Sequence, residues 1–168
     1  MEDKLSKGNF FNPSKGNLTF KAVLKEIFSY IQEKPKYNYE IIVGCDSSSS
    51  EEPSFPIAIV VLRKGAGGRF FLKKIKYPKR KFYNLHQRIL EEVLLSCKLA
   101  LILRDAAELE IKSKGLDYDF RYIHADIGAN GATKDMIKEV VGLIRGNGFE
   151  AKIKPEAYAA SIVADRFS

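Results

Sequence analysis

Four acidic residues stand where a folded chain can gather them around a divalent metal ion. Asp46 and Asp126 close two apolar, strand-like segments, VGCD and IHAD. Glu92 lies in a long helical segment, and Asp165 lies in the last one. Carboxylate oxygens are the ligands that Mg²⁺ and Mn²⁺ prefer, and two such ions about 4 Å apart can activate a water and stabilise the leaving oxygen of a phosphodiester. The four acids therefore predict a two-metal site for phosphodiester hydrolysis, provided that the fold brings them together.

Each acid also has an ordinary structural explanation. Asp46 and Asp126 can cap turns by accepting hydrogen bonds from nearby backbone N–H groups. Glu92 directly follows Glu91, so either of the two can be the helix residue that belongs to the site. Asp165 can pair with a neighbouring basic residue at the surface. The metal-site hypothesis therefore depends on the four acids together and on the order of the elements that carry them.

The order of the elements indicates how the chain can bring the acids together. The periodicity of apolar residues predicts one N-terminal helix followed by β-β-β-α-β-α-β-α. A meander followed by right-handed crossover units gives an α/β fold, a mixed five-stranded sheet with helices on both faces. We interpret residues 1–37 as an N-terminal extension and residues 38–168 as the core of a single domain. Strands are predicted at 40–44, 55–62, 69–77, 118–124 and 150–154, and helices at 20–34, 85–109, 134–145 and 155–166.

In such a sheet the first and fourth predicted strands are parallel neighbours. Asp46 and Asp126 are then expected side by side at the carboxyl edge, where open α/β sheets place their sites. Three further residues are candidates for contact with substrate. Ser47 follows Asp46 directly, and Lys154 ends the last predicted strand. Lys134 lies in the first turn of a predicted helix capped by Thr133, and helix N-termini bind anions well.

Positive charge is concentrated in one part of the chain. The net charge is +7, and the segment 63–90 contains no Asp or Glu. Basic residues interleaved with aromatic ones suit a nucleic acid, because phosphates pair with cations and bases pack on rings. The alternative is an edge strand kept soluble by lysines. The basic residues are Arg63, Lys64, Arg69, Lys73, Lys74, Lys76, Lys79, Arg80, Lys81 and Arg88, and the aromatic ones are Phe70, Phe71, Tyr77, Phe82 and Tyr83.

The sequence also indicates the compartment. No apolar run is long enough to cross a membrane, since the most apolar stretch, 93–103, is interrupted by Lys98. The N-terminal segment MEDKLSKGN lacks the apolar core of a secretory signal. We therefore expect a cytoplasmic protein in which Cys45 and Cys97 are reduced and buried. The sequence does not indicate an oligomeric state.

Six segments of the chain resemble a bacterial family of predicted RNase H-like nucleases, the YkuK-like family. They are FFNPSKGNLTF, VGCDSS, RILEE, HADIGANGATK, VVGLIRGNGFE and IKPEAYAASIVADR, and they span almost the whole chain. The resemblance implies the RNase H-like fold, two Mg²⁺ or Mn²⁺ ions and cleavage of RNA or DNA. It matches Asp46 to the acid of the first strand and Glu92 to that of the core helix. It also matches Asp126 to the acid after the fourth strand and Asp165 to that of the terminal helix.

The same superfamily also contains catalytically inactive binding domains. The alternative function is therefore a non-catalytic nucleic-acid or ribonucleoprotein-binding module on an RNase H-like scaffold. The acid-free basic segment is the feature that favours it.

Overall fold

A mixed sheet of seven strands forms the centre of the molecule in the computed structural model, which describes residues 2–164, apart from the side chains of residues 2, 3 and 161. The elements in chain order are α1 (Glu2–Ser6), β1 (Asn9–Asn12), β2 (Gly16–Thr19), α2 (Phe20–Glu33), β3 (Tyr39–Cys45), β4 (Ser54–Arg63), β5 (Gly68–Lys76), α3 (Leu85–Glu110), β6 (Asp119–Ala125), α4 (Ile137–Gly146), β7 (Glu150–Lys152) and a π-helix (Ala159–Ala164), which we call the last helix. Short 3₁₀ turns at Lys112–Lys114 and Lys134–Met136 precede β6 and α4.

The predicted α/β class and the order of the core elements are confirmed. Across the sheet the strands follow the order β2-β1-β5-β4-β3-β6-β7. β3, β4 and β5 form an antiparallel meander, while β6 pairs parallel to β3 and β7 parallel to β6. The chain therefore places the meander on one side of β3 and the crossover strands on the other.

The prediction of five strands was wrong because an N-terminal hairpin adds two more. β1 and β2 pair with each other, and β1 extends the sheet beyond β5. The side chain of Asn12 closes the hairpin, since its Oδ1 accepts the N–H groups of Ser14 and Lys15, both at 2.9 Å. Its Nδ2 donates to the carbonyl of Phe70 at 3.0 Å and so ties the hairpin to β5. The first residues of the chain therefore belong to the same sheet as the core.

Apolar side chains form two clusters, one on each face of the sheet. The larger cluster joins alternate residues of the strands, such as Val43 and Ile57, to α2 and α3. The smaller one joins Ile42 and Leu72 to the last helix. All seven residues of β3 are buried, as expected for a central strand covered on both faces.

The beginning of α2 matches its prediction, whereas the beginnings of two later helices do not. Thr19 caps α2, because its Oγ1 accepts the N–H of Ala22 at 3.1 Å. Thr133 has helical backbone angles and does not cap α4; its hydroxyl accepts the N–H of Gly128 at 3.1 Å instead. The last predicted helix does not open at Pro155, which lies in a turn before it. None of the helices within residues 2–164 combines the length and apolarity that crossing a bilayer requires.

Candidate active site

The two aspartates lie at the same edge of the sheet, as predicted. β3 and β6 are parallel neighbours, and Cys45 is paired with Ala125 at the end of both strands. Asp46 and Asp126 are the residues that follow this pair. The backbone N–H of Asp46 donates to the carbonyl of Pro56 at 3.1 Å, which holds Asp46 alongside β4.

Glu92 extends from α3 toward this edge. The hydroxyl of Ser47 donates to Oε2 of Glu92 at 2.6 Å, and both side chains are buried. Burial raises the pKa of Glu92 well above its usual range. The hydrogen bond from Ser47 acts in the opposite direction, while the negative charges of Asp46 and Asp126 raise the pKa further. Glu92 is therefore within electrostatic reach of both aspartates.

Glu91 contacts the loop that follows β5. Its carboxylate accepts a short hydrogen bond from the Tyr77 hydroxyl. It also forms a salt bridge with Arg80, in which Nη1 of Arg80 lies 3.2 Å from Oε1 of Glu91. The structure thus gives the two adjacent glutamates different partners. Glu92 is the one that lies beside Ser47 and the sheet edge.

Lys154 supplies a positive charge next to Asp126. Its Nζ lies 3.2 Å from Oδ1 of Asp126, and its backbone N–H donates to the carbonyl of Ile127 at 2.7 Å. A Cβ on Gly128 would lie 3.1 Å from Cβ of Lys154, so the glycine lets the lysine stem approach the turn. Although Oδ1 of Asp126 is buried, it accepts no hydrogen bond from the residues that the structure describes, so the contact with Lys154 is electrostatic rather than directional.

Of the predicted site residues that the structure describes, Lys134 is not brought into this group. Lys134 is exposed in the 3₁₀ turn before α4, and no hydrogen bond or salt bridge within residues 2–164 joins it to the acids. Asp165 lies outside the described residues.

Three carboxylates at one edge fit a hard divalent cation in chemistry but are not arranged to bind it as they stand. Within residues 2–164, no three His, Cys, Asp or Glu side chains lie close enough together to hold one ion. Ser47 and Lys154 occupy carboxylate oxygens that an ion would need. The buried Oδ1 of Asp126 accepts no hydrogen bond among these residues, and its neighbour there is the ammonium of Lys154. An ion would therefore have to compete with Ser47 for Glu92 and with Lys154 for Asp126.

Comparison with known proteins places the chain in a family. The model of the family described as "Ribonuclease H-like" matches residues 22–168. The chain belongs to the ribonuclease H-like family. It is also 31% identical over 166 residues to the uncharacterized protein YkuK of Bacillus subtilis (strain 168), a match that covers 95% of this chain and 96% of the relative. The resemblance to the YkuK-like group is thereby confirmed, whereas no solved structure gives a significant match.

One buried histidine of this ribonuclease H-like domain anchors the last helix. Nδ1 of His124 accepts the N–H of Ala159 at 3.1 Å, and its ring packs edge-on against Tyr158 with centroids 4.7 Å apart. Burial lowers the pKa of His124 to about 4, and the charge of Lys152 contributes in the same direction. Because successive residues of a strand alternate between faces, His124 shares the face of Asp126, but only the fold reveals its hydrogen bond to the last helix.

We expect the free energy of unfolding to fall as the pH decreases from 6.5 to 4, because the unfolded chain then protonates His124 while the folded chain does not. The loss attributable to His124 is about 3 kcal/mol at most. His124→Asn keeps an acceptor near Nδ1 without titrating. Urea denaturation at several pH values should therefore show a shallower pH dependence for this variant than for the wild type. Parallel curves would contradict this assignment.

Gly44, two residues before Asp46, is a residue that the sequence did not single out. A Cβ at this position would lie 2.6 Å from the backbone nitrogen of Ala160 and 2.8 Å from the carbonyl carbon of Ala159. Only a glycine permits such an approach of the last helix to β3. A glycine inside an otherwise apolar strand is a signal of close backbone contact, and it could have been used.

The basic segment has a more mixed role in the ribonuclease H-like fold than the sequence suggested. Arg63 is buried, and its guanidinium donates to the Tyr39 hydroxyl at 2.9 Å and to the carbonyl of Tyr30 at 2.8 Å. Phe71 and Phe82 belong to the larger apolar cluster. β5 is not an edge strand, because β1 lies beyond it. Charge from this segment therefore reaches the surface at only some of its positions.

Proposed function

We propose that the protein is a divalent-metal-dependent nuclease that hydrolyses phosphodiester bonds of RNA or DNA with two Mg²⁺ or Mn²⁺ ions. The observation that supports this most is the position of Asp46 and Asp126 after paired residues of parallel strands, with Glu92 coupled electrostatically to both. The family supplies the scaffold. The relative YkuK is described as uncharacterized, so the argument for activity comes from these residues.

The acids would hold the ions, and their neighbours would orient the acids. Asp46, Glu92 and Asp126 are the proposed ligands, with Asp165 as a fourth. The bound ions would lower the pKa of a water molecule and neutralise charge on the phosphate. Ser47 holds the carboxylate of Glu92 in place through its hydrogen bond. Lys154, half exposed beside Asp126, would attract a substrate phosphate to the edge.

A cleavage panel tests the proposal. Labelled RNA, DNA, RNA–DNA hybrid and branched substrates are incubated with the full chain and either Mg²⁺ or Mn²⁺, with EDTA as the control. We expect hydrolysis of at least one substrate that depends on the added ion. Failure of every combination would contradict the nuclease function.

The adjacent glutamates provide an internal control for the site. We expect Glu92→Gln to reduce ion-dependent cleavage by about a hundredfold or more, since it removes a charged ligand. Glu91→Gln should leave the rate within a few-fold of wild type, because Glu91 contacts Tyr77 and Arg80 instead. Both glutamates are buried, so the two variants perturb the core similarly. Initial rates under single-turnover conditions compare them, and equal losses would contradict the assignment of Glu92.

One observation favours the second candidate function, a non-catalytic nucleic-acid-binding module. The ammonium of Lys154 already balances the charge of Asp126, whereas in a metal site the ion would do so. This function predicts binding whose affinity falls with salt at a log–log slope of about −0.7 to −0.9 per phosphate contacted, and no turnover with any metal. Binding that does not respond to salt would contradict it.

A further inference from the structure

A line of positive charge runs over the surface that the N-terminal hairpin shares with β5. A shallow groove of about 410 Å³ lies between α1 and β5, and a depression of about 370 Å³ lies beside it between β1 and β5. Lys73 and Lys74 line both, so the two form one surface. None of the described residues that line it is acidic. Its lysines are Lys4, Lys7, Lys73, Lys74 and Lys76.

Two of these lysines lie on the same face of the sheet as Asp46. β4 pairs Pro56 with Lys74, and Asp46 bonds to Pro56 through its backbone, so the three residues form one row across three strands. Residues directly opposite each other in paired strands share a face. With strands about 4.8 Å apart, the backbones of Asp46 and Lys74 are about 10 Å apart. Lys76, two residues further along β5, has the same orientation.

An exposed aromatic ring of the hairpin lies in the neighbouring row on the same face. Phe11 of β1 is paired with Leu72 of β5. Because Leu72 and Lys74 are two residues apart in one strand, Phe11 lies on the face of Lys74. Leu72 is buried, whereas the side chain of Phe11 is 40% exposed. We call Phe11, Lys74 and Lys76 the hairpin platform.

The lysines of this surface differ in what already binds them. The ammonium of Lys73 donates a short hydrogen bond to the carbonyl of Lys7, and that of Lys4 donates to the carbonyl of Lys76 at 3.3 Å. Lys74 and Lys76 are exposed, and no carboxylate within the described part of the chain forms a salt bridge with either. Their charges are therefore available to an external anion.

We propose that the hairpin platform binds single-stranded nucleic acid and directs it toward the acids at the sheet edge. Lysines alone would suit any polyanion, but an exposed ring beside them suits one whose bases are unpaired and can stack on it. The phosphates would pair with Lys74 and Lys76, and the backbone of Lys74 is about 10 Å from that of Asp46. That the bound nucleic acid reaches the acids rests on the proposed nuclease function, whereas its binding to the platform does not.

Fluorescence anisotropy in EDTA tests the platform apart from cleavage. The probes are labelled RNA and DNA single strands of about ten nucleotides and the corresponding duplexes. We expect the double variant Lys74→Glu/Lys76→Glu to bind single strands about tenfold or more weakly, with a salt slope that is shallower by about 1.4. Phe11→Ala should weaken binding about tenfold at an unchanged slope, since it removes stacking and no charge.

A matched control tests whether the loss of binding comes from the platform or from the change in net charge. Lys21→Glu/Lys25→Glu makes the same charge change on exposed residues of α2, which packs on the other face of the sheet, and should bind nearly as wild type does. If both lysine double variants lost the same affinity for single strands, the platform would be overturned. It would also be overturned if the platform variants lost as much affinity for duplexes as for single strands, or if the wild type bound no single strands. Intact platform-dependent binding without cleavage would contradict the nuclease function alone. Cleavage with platform variants that bind normally would contradict the platform alone.

Discussion

Asp46→Asn is expected to reduce ion-dependent cleavage by about a thousandfold or more, because the Lewis-acid contribution of a bound ion is worth several kcal/mol. The fold should be retained. Asparagine has nearly the shape of aspartate, and the backbone N–H of residue 46 would still donate to Pro56. Single-turnover rates on the best substrate of the panel measure the effect. Asp105→Asn, an exposed position on α3, serves as the control and should cleave at the wild-type rate.

Asp46→Asn should also leave the unfolding temperature unchanged or raise it, whereas the loss of a turn-stabilising aspartate would lower it. The charge of Asp46 raises the pKa of Glu92, so the two carboxylates repel each other. In EDTA we therefore expect Asp46→Asn to unfold at the same temperature as the wild type or higher. Mg²⁺ or Mn²⁺ should raise the midpoint of the wild type only, since ligands stabilise the state that binds them. A variant that cleaves normally, or that is less stable in EDTA, would show that Asp46 serves the turn rather than the chemistry.

The position of the two aspartates could be predicted from the sequence because it depends on simple geometry. Apolar residues on both faces of the segment around Ile42 are typical of a central strand, and all seven residues of β3 are buried. A crossover connection then required β6 to lie parallel to β3, which brings residues 46 and 126 to one edge. Both inferences use patterns that are local or governed by chain handedness.

The remaining features depend on contacts between distant parts of the chain. β1 and β2 have four residues each, too few for a clear alternation, and their turn depends on the side chain of Asn12. Glu91 and Glu92 are both buried on α3, so periodicity cannot tell which belongs to the site. A count of charges likewise cannot show that Arg63 is buried among tyrosine rings.

Gly44→Ala is expected to destabilise the protein by about 1–3 kcal/mol, the usual cost of overpacking a core. The added Cβ would lie 2.6 Å from the backbone nitrogen of Ala160, and backbone atoms cannot rotate away as a side chain can. The last helix must therefore shift, which strains the bond from the N–H of Ala159 to His124. Urea denaturation measures the loss, and hydrogen exchange of residues 157–164 should show where it occurs.

The control for this variant is Gly142→Ala on α4. Apart from its chain neighbours and the adjacent backbone of α4, no atom lies within 4 Å of a Cβ at that position, so the substitution should be neutral or stabilise the helix by about 0.5–1 kcal/mol. Wild-type stability of Gly44→Ala would mean that the last helix can move away from β3 at little cost.

The double variant Gly44→Ala/Ala159→Gly identifies which atoms set the distance between β3 and the last helix. Cβ of Ala159 would lie 3.0 Å from a Cβ added at Gly44, but the two closer atoms belong to the backbone. We therefore expect a coupling energy below about 1 kcal/mol between the two substitutions. Because the last helix precedes Asp165 in the chain, cleavage should fall in both variants that contain Gly44→Ala. Full recovery of stability and cleavage in the double variant would mean that the side chain of Ala159, and not the helix backbone, sets this distance.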